Sequence, residues 1–352
     1  PLNPNVMYAG SLNNGAYKSI DRGVNWTVTS LGGPFLTRHM VVDPGDTNRV
    51  YAGTGLQLFY SDDVGATWTN APIDPVSGVD VVGLAVMPLS PDTVLVGVPG
   101  DGVYRSLDRA LTWSIPNDGL TDLDVTDLVA SSEFAATAYA TTTGGGVFIT
   151  ADAGSTWTAQ NTGITNLNLE SIVISQSNPT VLYTGSDAGE VFKSADRGVT
   201  WLDITKDLAA AVAVNDLFVH PDSANVLYAA LDKVYRIKQA GLDSVSFFPT
   251  GASPFLLSIV DLDANSVSDI VVANIGAQSV QVMLNGSQGA NFTTTGYNTG
   301  AEPTVISSAD LDGDGDLDIV VGNRLQQTIA ILFNDSTGTF AAPVEIFVGQ
   351  SV

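Results

Sequence analysis

A run of five aspartates near the end of the chain is the densest group of chemically active side chains in this 352-residue sequence. The run occupies alternate positions: Asp310, Asp312, Asp314, Asp316 and Asp318. Without a cation, mutual repulsion should open such a loop, whereas a divalent cation lets the carboxylates converge. Gly313 and Gly315 allow the backbone to wrap tightly. We therefore predict a Ca²⁺ site here, with a solvated acidic turn as the alternative.

The residues that follow this loop exclude a helix-flanked EF-hand. An EF-hand would need Glu at the twelfth position, where Val321 stands, and helices on both sides. The apolar run that ends the loop is instead typical of a strand. The loop is therefore predicted to connect two strands.

A second, weaker metal loop precedes the first. It keeps an oxygen donor at positions one, three, five and nine of the same pattern: Asp261, Asp263, Asn265 and Asp269. It lacks both glycines and two of the charges, so we expect weaker Ca²⁺ binding. Neither loop is predicted to be catalytic, because each ligand set can be satisfied without an open substrate position.

Five similar eight-residue segments, here called the tryptophan turns, set the architecture that positions these loops. They are residues 19–26, 61–68, 106–113, 150–157 and 194–201. Each has Ser or Thr, then Asp, usually Gly, and a final Trp, and the tryptophans lie 42, 45, 44 and 44 residues apart. A period in the forties with one β-rich unit per period is the signature of a propeller or similar array. We interpret the turns as hairpin braces, because five copies around a ring cannot all line one active site.

A second set of residues, mostly tyrosines and each in a short apolar run, recurs with the same period and is here called the tyrosine column. Its members are Tyr8, Tyr51, Val96, Tyr139, Tyr183 and Tyr228. The sixth unit loses its turn around residues 239–243, and after Phe248 the period becomes 49, from Gly251 to Gly300. These spacings predict an all-β propeller of about seven or eight four-stranded blades. Residues 1–247 and 248–352 form its two kinds of repeat.

Both ends of the sequence are out of register with their repeats. Two alternatives follow from that observation. Either the strand around 344–348 completes the first blade and closes a ring, or these residues are an excerpt from a longer array.

The two kinds of repeat resemble two known families. The tryptophan turns resemble the Asp-box, or BNR repeat, of sialidase-like propellers over about residues 5–247, with Ala110 and Thr150 as mild departures. Their context is most similar to xyloglucanases, sortilin-type receptors and photosystem assembly factors. Residues 248–352 resemble FG-GAP/VCBS repeats. That resemblance implies that Asp310, Asp312, Asp314 and Asp318 bind Ca²⁺ by side chain and Asp316 by its backbone carbonyl.

Composition narrows the classes of partner. The net charge of −24 argues against nucleic acid and anionic membranes as partners. No apolar stretch is long enough for membrane insertion. The absence of cysteine excludes disulfides and thiolate catalysis. The 32 Asp against 5 Glu indicate loops and strands, as in a secreted or cell-surface protein.

No catalytic constellation stands out. A sialidase needs an arginine cluster, but the arginines of the turns, Arg22, Arg109 and Arg197, are expected away from a propeller's ligand face. Xyloglucanase-like enzymes use two aspartates across a cleft. The exposed-loop candidates for such a pair are Asp43, Asp80, Asp124 and Asp127. The two histidines, His39 and His220, are expected to be surface or packing residues.

The sequence therefore favours a secreted or cell-surface, non-enzymatic, calcium-stabilised interaction, adhesion or scaffold protein, as in an extracellular filament. Its expected partners are a protein or glycan at a loop face, with self-association through unpaired strand edges as a further option. The alternative is a carbohydrate-active glycoside hydrolase of the sialidase or xyloglucanase type.

Overall fold

A computed structural model describes most of the chain. The described residues are 6–10, 15–20, 26–31, 37–55, 57–73, 80–90, 92–205, 208, 212–220, 223–231, 234–238, 244–248, 250–265, 267–285 and 292–347. The core of the first tryptophan turn (residues 21–25) and the degenerate turn of the sixth unit (residues 239–243) lie outside them.

Thirty short strands form eight antiparallel sheets, here called blades 1–8 in chain order, and the described residues contain no helix. Blade 1 comprises β1 (Met7–Gly10), β2 (Ala16–Ser19) and β3 (Thr27–Val28). Blade 2 comprises β4 (Thr37–Val42), β5 (Val50–Thr54), β6 (Leu58–Ser61) and β7 (Thr69–Ala71). Blade 3 comprises β8 (Gly83–Val86), β9 (Val94–Val98) and β10 (Gly102–Ser106). Blade 4 comprises β11 (Val125–Ala130), β12 (Ala138–Thr142), β13 (Gly146–Thr150) and β14 (Thr158–Ala159).

The remaining four blades have four strands each. Blades 5 and 6 comprise β15 (Leu169–Ile174), β16 (Leu182–Ser186), β17 (Val191–Ser194), β18 (Leu202–Asp203); β19 (Asp216–Val219), β20 (Val226–Ala230), β21 (Val234–Lys238) and β22 (Ser244–Phe248). Blades 7 and 8 comprise β23 (Pro254–Val260), β24 (Asp269–Asn274), β25 (Ser279–Asn285), β26 (Phe292–Asn298); β27 (Pro303–Ala309), β28 (Asp318–Asn323), β29 (Thr328–Leu332) and β30 (Val344–Phe347).

The predicted all-β propeller is confirmed, with eight blades. Six blades have four strands, and blades 1 and 3 have three among the described residues. In blade 3, a single bridge between Arg105 and Ser114 stands where a fourth strand would pair. The first strands of neighbouring four-stranded blades contact one another, so they line the axis of the ring.

Hydrophobic packing between blades closes the ring. Each of the eight apolar clusters lies between two adjacent blades. One of them places Trp26 of blade 1 against Val320 and Ile331 of blade 8. The alternative in which the last strand completes the first blade is wrong, because β30 pairs with β29 as the outer strand of blade 8. Side-chain packing closes the ring instead.

The tyrosine column explains the regular spacing of the blades. Tyr51, Tyr139, Tyr183 and Tyr228 are all fully buried on second strands. Each buries a large ring between two sheets, which favours one aromatic per blade. The tryptophan turn of the next blade packs above this position: a Cβ on Gly65 would lie 2.7 Å from the ring of Tyr8.

Strand alternation gives the ring two distinct faces. Because successive strands run in opposite directions, the first-to-second and third-to-fourth connections share one face. This face carries the tryptophan turns and both acidic loops, and we call it the turn face. The second-to-third connections and the links between blades share the opposite face, which we call the mouth face. The repeated aspartate motifs of the sequence therefore all lie on one side of the ring.

Candidate functional site

The acidic loop 310–318 connects β27 to β28 on the turn face. Asp310, Asp312 and Asp314 each offer a carboxylate oxygen within 4.8 Å of the others. Gly313 and Gly315 adopt φ angles of 85° and 101°. Their N–H groups donate to Asp310 at 2.8 and 3.1 Å. The predicted convergence of alternate side chains is therefore present for these three aspartates.

The other two aspartates of this loop have different surroundings. Asp318 is fully buried, and its two carboxylate oxygens accept the N–H groups of Leu311 and Asn334, both at 2.7 Å. Asp316 holds a buried Oδ2 with no hydrogen-bond partner. A buried carboxylate oxygen without a donor is costly, and a bound cation would satisfy it. The donor set, all oxygen, suits Ca²⁺.

The loop 261–269 is more nearly satisfied by its own hydrogen bonds. Asp261, Asp263 and Asp269 bring carboxylate oxygens within 4.8 Å of one another. The side-chain amide of Asn265 donates to Asp263 Oδ2 at 3.0 Å and to the Asn285 carbonyl at 2.8 Å. Burial, with the charges of Asp263 and Asp261, raises the pKa of Asp269 to about 6. An amide donor thus takes part of the place that a cation would occupy.

The tryptophan turns use their aspartates as braces. In the second turn, Asp63 accepts the Thr67 N–H at 2.7 Å and hydroxyl at 2.6 Å and the Ser61 hydroxyl at 2.7 Å. The hydrogen bonds from Thr67, above all the side-chain one, lower the pKa of Asp63 to about 2. The same contacts recur around the aspartates of three further turns: Asp108, Asp152 and Asp196. Both oxygens of each carboxylate accept hydrogen bonds from their own turn, which is the geometry of a brace.

Asp43, a predicted candidate on the turn face, is structural, and so are two arginines of the tryptophan turns. Asp43 is fully buried rather than in an exposed loop, and it accepts the Gly45 N–H at 2.8 Å. Arg109 of the third turn reaches Asp43 at 3.3 Å and Asp46 at 2.8 Å, which ties blade 3 to blade 2. Arg197 lies over the ring of Phe134 at 4.9 Å. The turn arginines therefore join blades.

The remaining candidates lie toward the mouth face. Asp124 is exposed at the start of blade 4, where it bridges to Pro99 of blade 3. Asp80 is partly buried just before β8. Asp127, predicted to be in an exposed loop, lies inside β11, and burial raises its pKa to about 6. Its carboxylate accepts the Leu128 N–H at 2.7 Å and the Ile172 N–H of blade 5 at 3.0 Å.

Sequence reasoning missed a pair of carboxylates at the mouth face of blade 5. Glu170 is the extra residue of a β-bulge at the start of β15, because Leu169 pairs with Ser186 and Ser171 with Gly185. Asp187 directly follows Ser186 in the turn after β16. Burial and then the charge of Asp187 raise the pKa of Glu170. The antiparallel register thus brings together two carboxylates that lie 17 positions apart.

Asparagine side chains hold Asp187. Asn166 donates to Asp187 Oδ1 at 3.0 Å and to Glu190 Oε2 at 2.7 Å. Asn168 donates to Asp187 Oδ2 at 3.2 Å. The two carboxyl groups thus differ in their surroundings: Asp187 accepts hydrogen bonds from two amides, whereas burial and the charge of Asp187 raise the pKa of Glu170. Two neighbouring carboxyl groups in different surroundings are the arrangement used for acid–base chemistry.

Blade 4 fixes the backbone around Glu170. The Thr126 hydroxyl donates to the carbonyl of Leu169 at 2.7 Å. Asp127 accepts the Ile172 N–H two residues after Glu170. The bulge is therefore held on both sides, and Asp127 positions Glu170 without being exposed itself.

No helix in the described part of the chain is long and apolar enough to span a membrane.

Parts of this chain are similar to a known family of repeats and to known enzymes. A family model for an FG-GAP-like repeat matches residues 261–321, which include both acidic loops. A xyloglucanase from Paenibacillus sp is 33% identical over a match that covers 32% of this chain and 15% of that protein. The xyloglucanase Xgh74A of Acetivibrio thermocellus is 32% identical, covering 32% of this chain and 18% of its own length.

Among solved structures, the GH74 xyloglucanase from Xanthomonas campestris shares the fold. Its TM-score is 0.65 at 16% identity, with 92% of this chain and 57% of that chain covered. The chain spans less than a fifth of the length of the curated relatives it matches.

These relatives correct the functional prediction. The non-enzymatic interaction or scaffold protein expected from the sequence is wrong, as is the expectation that the chain is not an enzyme, because the sequence relatives are xyloglucanases. The similarities favour the alternative, a glycoside hydrolase. The prediction considered aspartate pairs alone and did not consider Glu170.

Proposed function

We propose that this chain is a glycoside hydrolase, or the part of one that carries a catalytic carboxyl group, acting on a β-glucan of the xyloglucan class. The observation that carries the proposal is the Glu170–Asp187 pair at the mouth face of blade 5. The xyloglucanase relatives supply the substrate class.

The pair has the properties that glycoside cleavage requires. Glu170, whose pKa is raised by burial and by the charge of Asp187, would donate a proton to the glycosidic oxygen. Asp187, which accepts hydrogen bonds from the side-chain amides of Asn166 and Asn168, would activate a water molecule or attack the anomeric carbon. Glycoside hydrolases pair one protonated and one ionised carboxyl group in this way. Glu170 and Asp187 match these two roles.

We also propose that the acidic loops bind Ca²⁺ and that the metal is structural. Asp310, Asp312 and Asp314 would hold the ion in blade 8, and Asp261 and Asp263 would hold a weaker one in blade 7. The converging carboxylates and the unpartnered oxygen of Asp316 support this assignment. A bound cation would neutralise repulsion and stabilise its blade by mass action. Both loops lie on the turn face, away from Glu170, so the ion has no part in the proposed chemistry.

The proposed location is outside the cell. A polysaccharide substrate is too large to cross a membrane, so the enzyme must meet it outside. A net charge of −24 fits surroundings where free divalent cations screen the surface.

The test is hydrolysis of soluble xyloglucan by the 352-residue chain, measured as the release of reducing ends. Glu170→Gln should lower kcat by about 10²–10⁴-fold, because the amide cannot donate the proton. Glu133→Gln is the matched control, since Glu133 is an exposed glutamate between β11 and β12 on the turn face. Failure of the wild type to release reducing ends would overturn the proposal. Equal activity of the two variants would do the same.

A further inference from the structure

Five blades share one irregularity at the mouth-face end of the first strand. In each, two residues of the first strand face one residue of the second, a β-bulge. The extra residues are Arg38, Thr126, Glu170, Phe255 and Thr304. Bulges next to active sites re-aim a side chain. The five positions therefore form a ring at one end of the innermost strands.

Two of these bulges are held by the same two-point clamp from the preceding blade. At Glu170, the Thr126 hydroxyl donates to the carbonyl of Leu169, just before the bulge. Asp127 accepts the N–H of Ile172, two residues after Glu170. At Phe255, Asn215 donates to the carbonyl of Pro254 at 3.2 Å. Asp216 accepts the Leu257 N–H at 3.4 Å. The clamp on Phe255 thus repeats the clamp on Glu170, two blades further around the ring.

Among the described residues, the first strand of blade 6, between them, has neither this clamp nor this bulge. Ser171 of blade 5 holds the position that corresponds to Asp127 and Asp216, and it is too short to repeat the contact. The first strand of blade 6, which it faces, pairs without a bulge. Desolvation makes both clamping carboxylates costly, since burial raises the pKa of Asp127 to about 6 and that of Asp216 to about 7. A costly contact that recurs only at bulges indicates that the bulged side chain has a use.

Phe255 is 37% exposed, although a phenylalanine gains most by burial. We propose that Phe255 is a sugar-binding platform, on which the apolar face of a pyranose unit of the polysaccharide stacks. The C–H groups of a β-linked pyranose form a flat apolar face that complements an aromatic ring. Phe255 and Glu170 both lie at the mouth-face end of a first strand, so a polymer bound along this face is the ligand that we propose for both. This inference rests on the proposed function, because it takes its ligand from the same substrate class.

Binding of soluble xyloglucan to the Glu170→Gln chain, measured by calorimetry, separates the platform from catalysis. Adding Phe255→Ala should weaken binding by about 3–10-fold, and Phe255→Trp should preserve or strengthen it. Phe347→Ala is the control, because Phe347 is a 66% exposed phenylalanine on the outer strand β30. Because Phe255 is 37% exposed, the alanine variant should lose less stability than a fully buried phenylalanine would, and its melting temperature is measured to confirm that it is folded. In the active chain, Phe255→Ala should raise KM and leave kcat within about twofold.

The outcomes distinguish the two proposals. If Glu170→Gln abolishes hydrolysis while Phe255→Ala binds as tightly as its parent, the platform is refuted and the hydrolase stands. If binding depends on Phe255 but the wild type hydrolyses nothing, the platform is supported and the hydrolase is refuted. Equal weakening by Phe255→Ala and Phe347→Ala would also refute the platform.

Discussion

A brace aspartate on the turn face, Asp63, and a glutamate on the mouth face, Glu170, have opposite pKa shifts. On the turn face, Asp63 is surrounded by N–H and O–H donors of its own turn, and these lower its pKa to about 2. On the mouth face, Glu170 is partly desolvated beside Asp187, and its pKa is raised. The residue type is similar in both places. The number of donors, the burial and the neighbouring charges decide whether the pKa of a carboxyl group is lowered or raised.

This contrast explains why the most repeated motif of the chain is not its active site. A motif that recurs in five blades solves a problem that those blades share, namely a tight turn. The proposed chemistry needs one place where the ring departs from its own repeat. Blade 5 combines a bulge and a neighbouring clamp, which blade 7 shares, with a glutamate at the bulge, which the other described bulges lack.

The largest effect is expected at Asp187. Asp187→Asn should lower kcat on xyloglucan by about 10²-fold or more, because the neutral amide cannot act as base or nucleophile. The control is Asp124→Asn, an exposed mouth-face aspartate in blade 4, which should keep its rate within about twofold. Steady-state kinetics on both variants decides the matter. Comparable losses in the two would show that general mouth-face charge, not this pair, supports activity.

Calcium should act on the turn face alone. Excess Ca²⁺ should raise the melting temperature, with a gain of about 2.7 kcal/mol at one hundred times Kd. Asp312→Asn combined with Asp314→Asn should abolish this response. Asp263→Asn should reduce it less, because the Asn265 amide already contacts Asp263. Scanning calorimetry with Ca²⁺ or a chelator measures the effect, and identical wild-type melting under both conditions would exclude a structural cation.

Removing the aspartate of one tryptophan turn should lower the stability of the fold but leave the hydrolytic activity unchanged. Asp152→Ala deletes hydrogen bonds to the N–H and hydroxyl of Thr156, at 2.9 and 2.8 Å, and to the hydroxyl of Thr150 at 2.8 Å. We expect a loss of about 1–2 kcal/mol in the free energy of unfolding by denaturant. The activity per folded molecule should be unchanged. A variant that melts like wild type but loses activity would give the turn a catalytic role.

The clamps should make stability depend on pH. An aspartate in the unfolded chain titrates near 3.9, whereas Asp127 and Asp216 titrate near 6 and 7 in the folded chain. Between these values the folded state binds more protons, so their contribution is complete below pH ~4. It is lost as the pH rises through 6 and 7. The melting temperature should fall over this interval, and less so in Asp127→Asn combined with Asp216→Asn. Parallel curves for the two proteins would contradict the assignment.

The smallest effect concerns the one turn that departs from glycine. Ala110 adopts a φ of 69° where Gly65, Gly154 and Gly198 adopt 78–84°. This left-handed conformation is strained for alanine, so Ala110→Gly should stabilise the fold by up to about 1 kcal/mol. The converse change, Gly65→Ala, should destabilise it, because the new Cβ would lie 2.7 Å from Tyr8. Denaturant unfolding of both variants checks the sign, and two changes of the same sign would contradict the account.

Local patterns carried the fold prediction. The spacing of Trp68 and its equivalents, and of the buried tyrosines, follows from one turn and one aromatic per blade, so the propeller could be predicted from the sequence. The convergence of Asp310, Asp312 and Asp314 was also predictable, since the three residues lie within five positions of the chain. The role of Asp318 was not, because its second partner, Asn334, lies 16 residues away on the chain.

The candidate site depends on contacts that no short pattern contains. Glu170 meets Asp187 only because a bulge shifts the register of β15 against β16. Asp127 holds Ile172 only because blade 5 packs beside blade 4. The predicted order of the strands could have pointed to this site. In an antiparallel blade, the residues next to the turn between the second and third strands lie opposite the start of the first strand. A search for a glutamate there would have found Glu170.

The direct test of the contrast between the faces is the pKa of Glu170, measured by carboxyl carbon NMR on glutamate-labelled protein. The chain has only five glutamates, and Glu170→Gln assigns the signal by its loss. The account predicts a pKa above the ordinary value of about 4.3, falling toward that value in Asp187→Asn. An ordinary pKa that is unaffected by Asp187→Asn would contradict it.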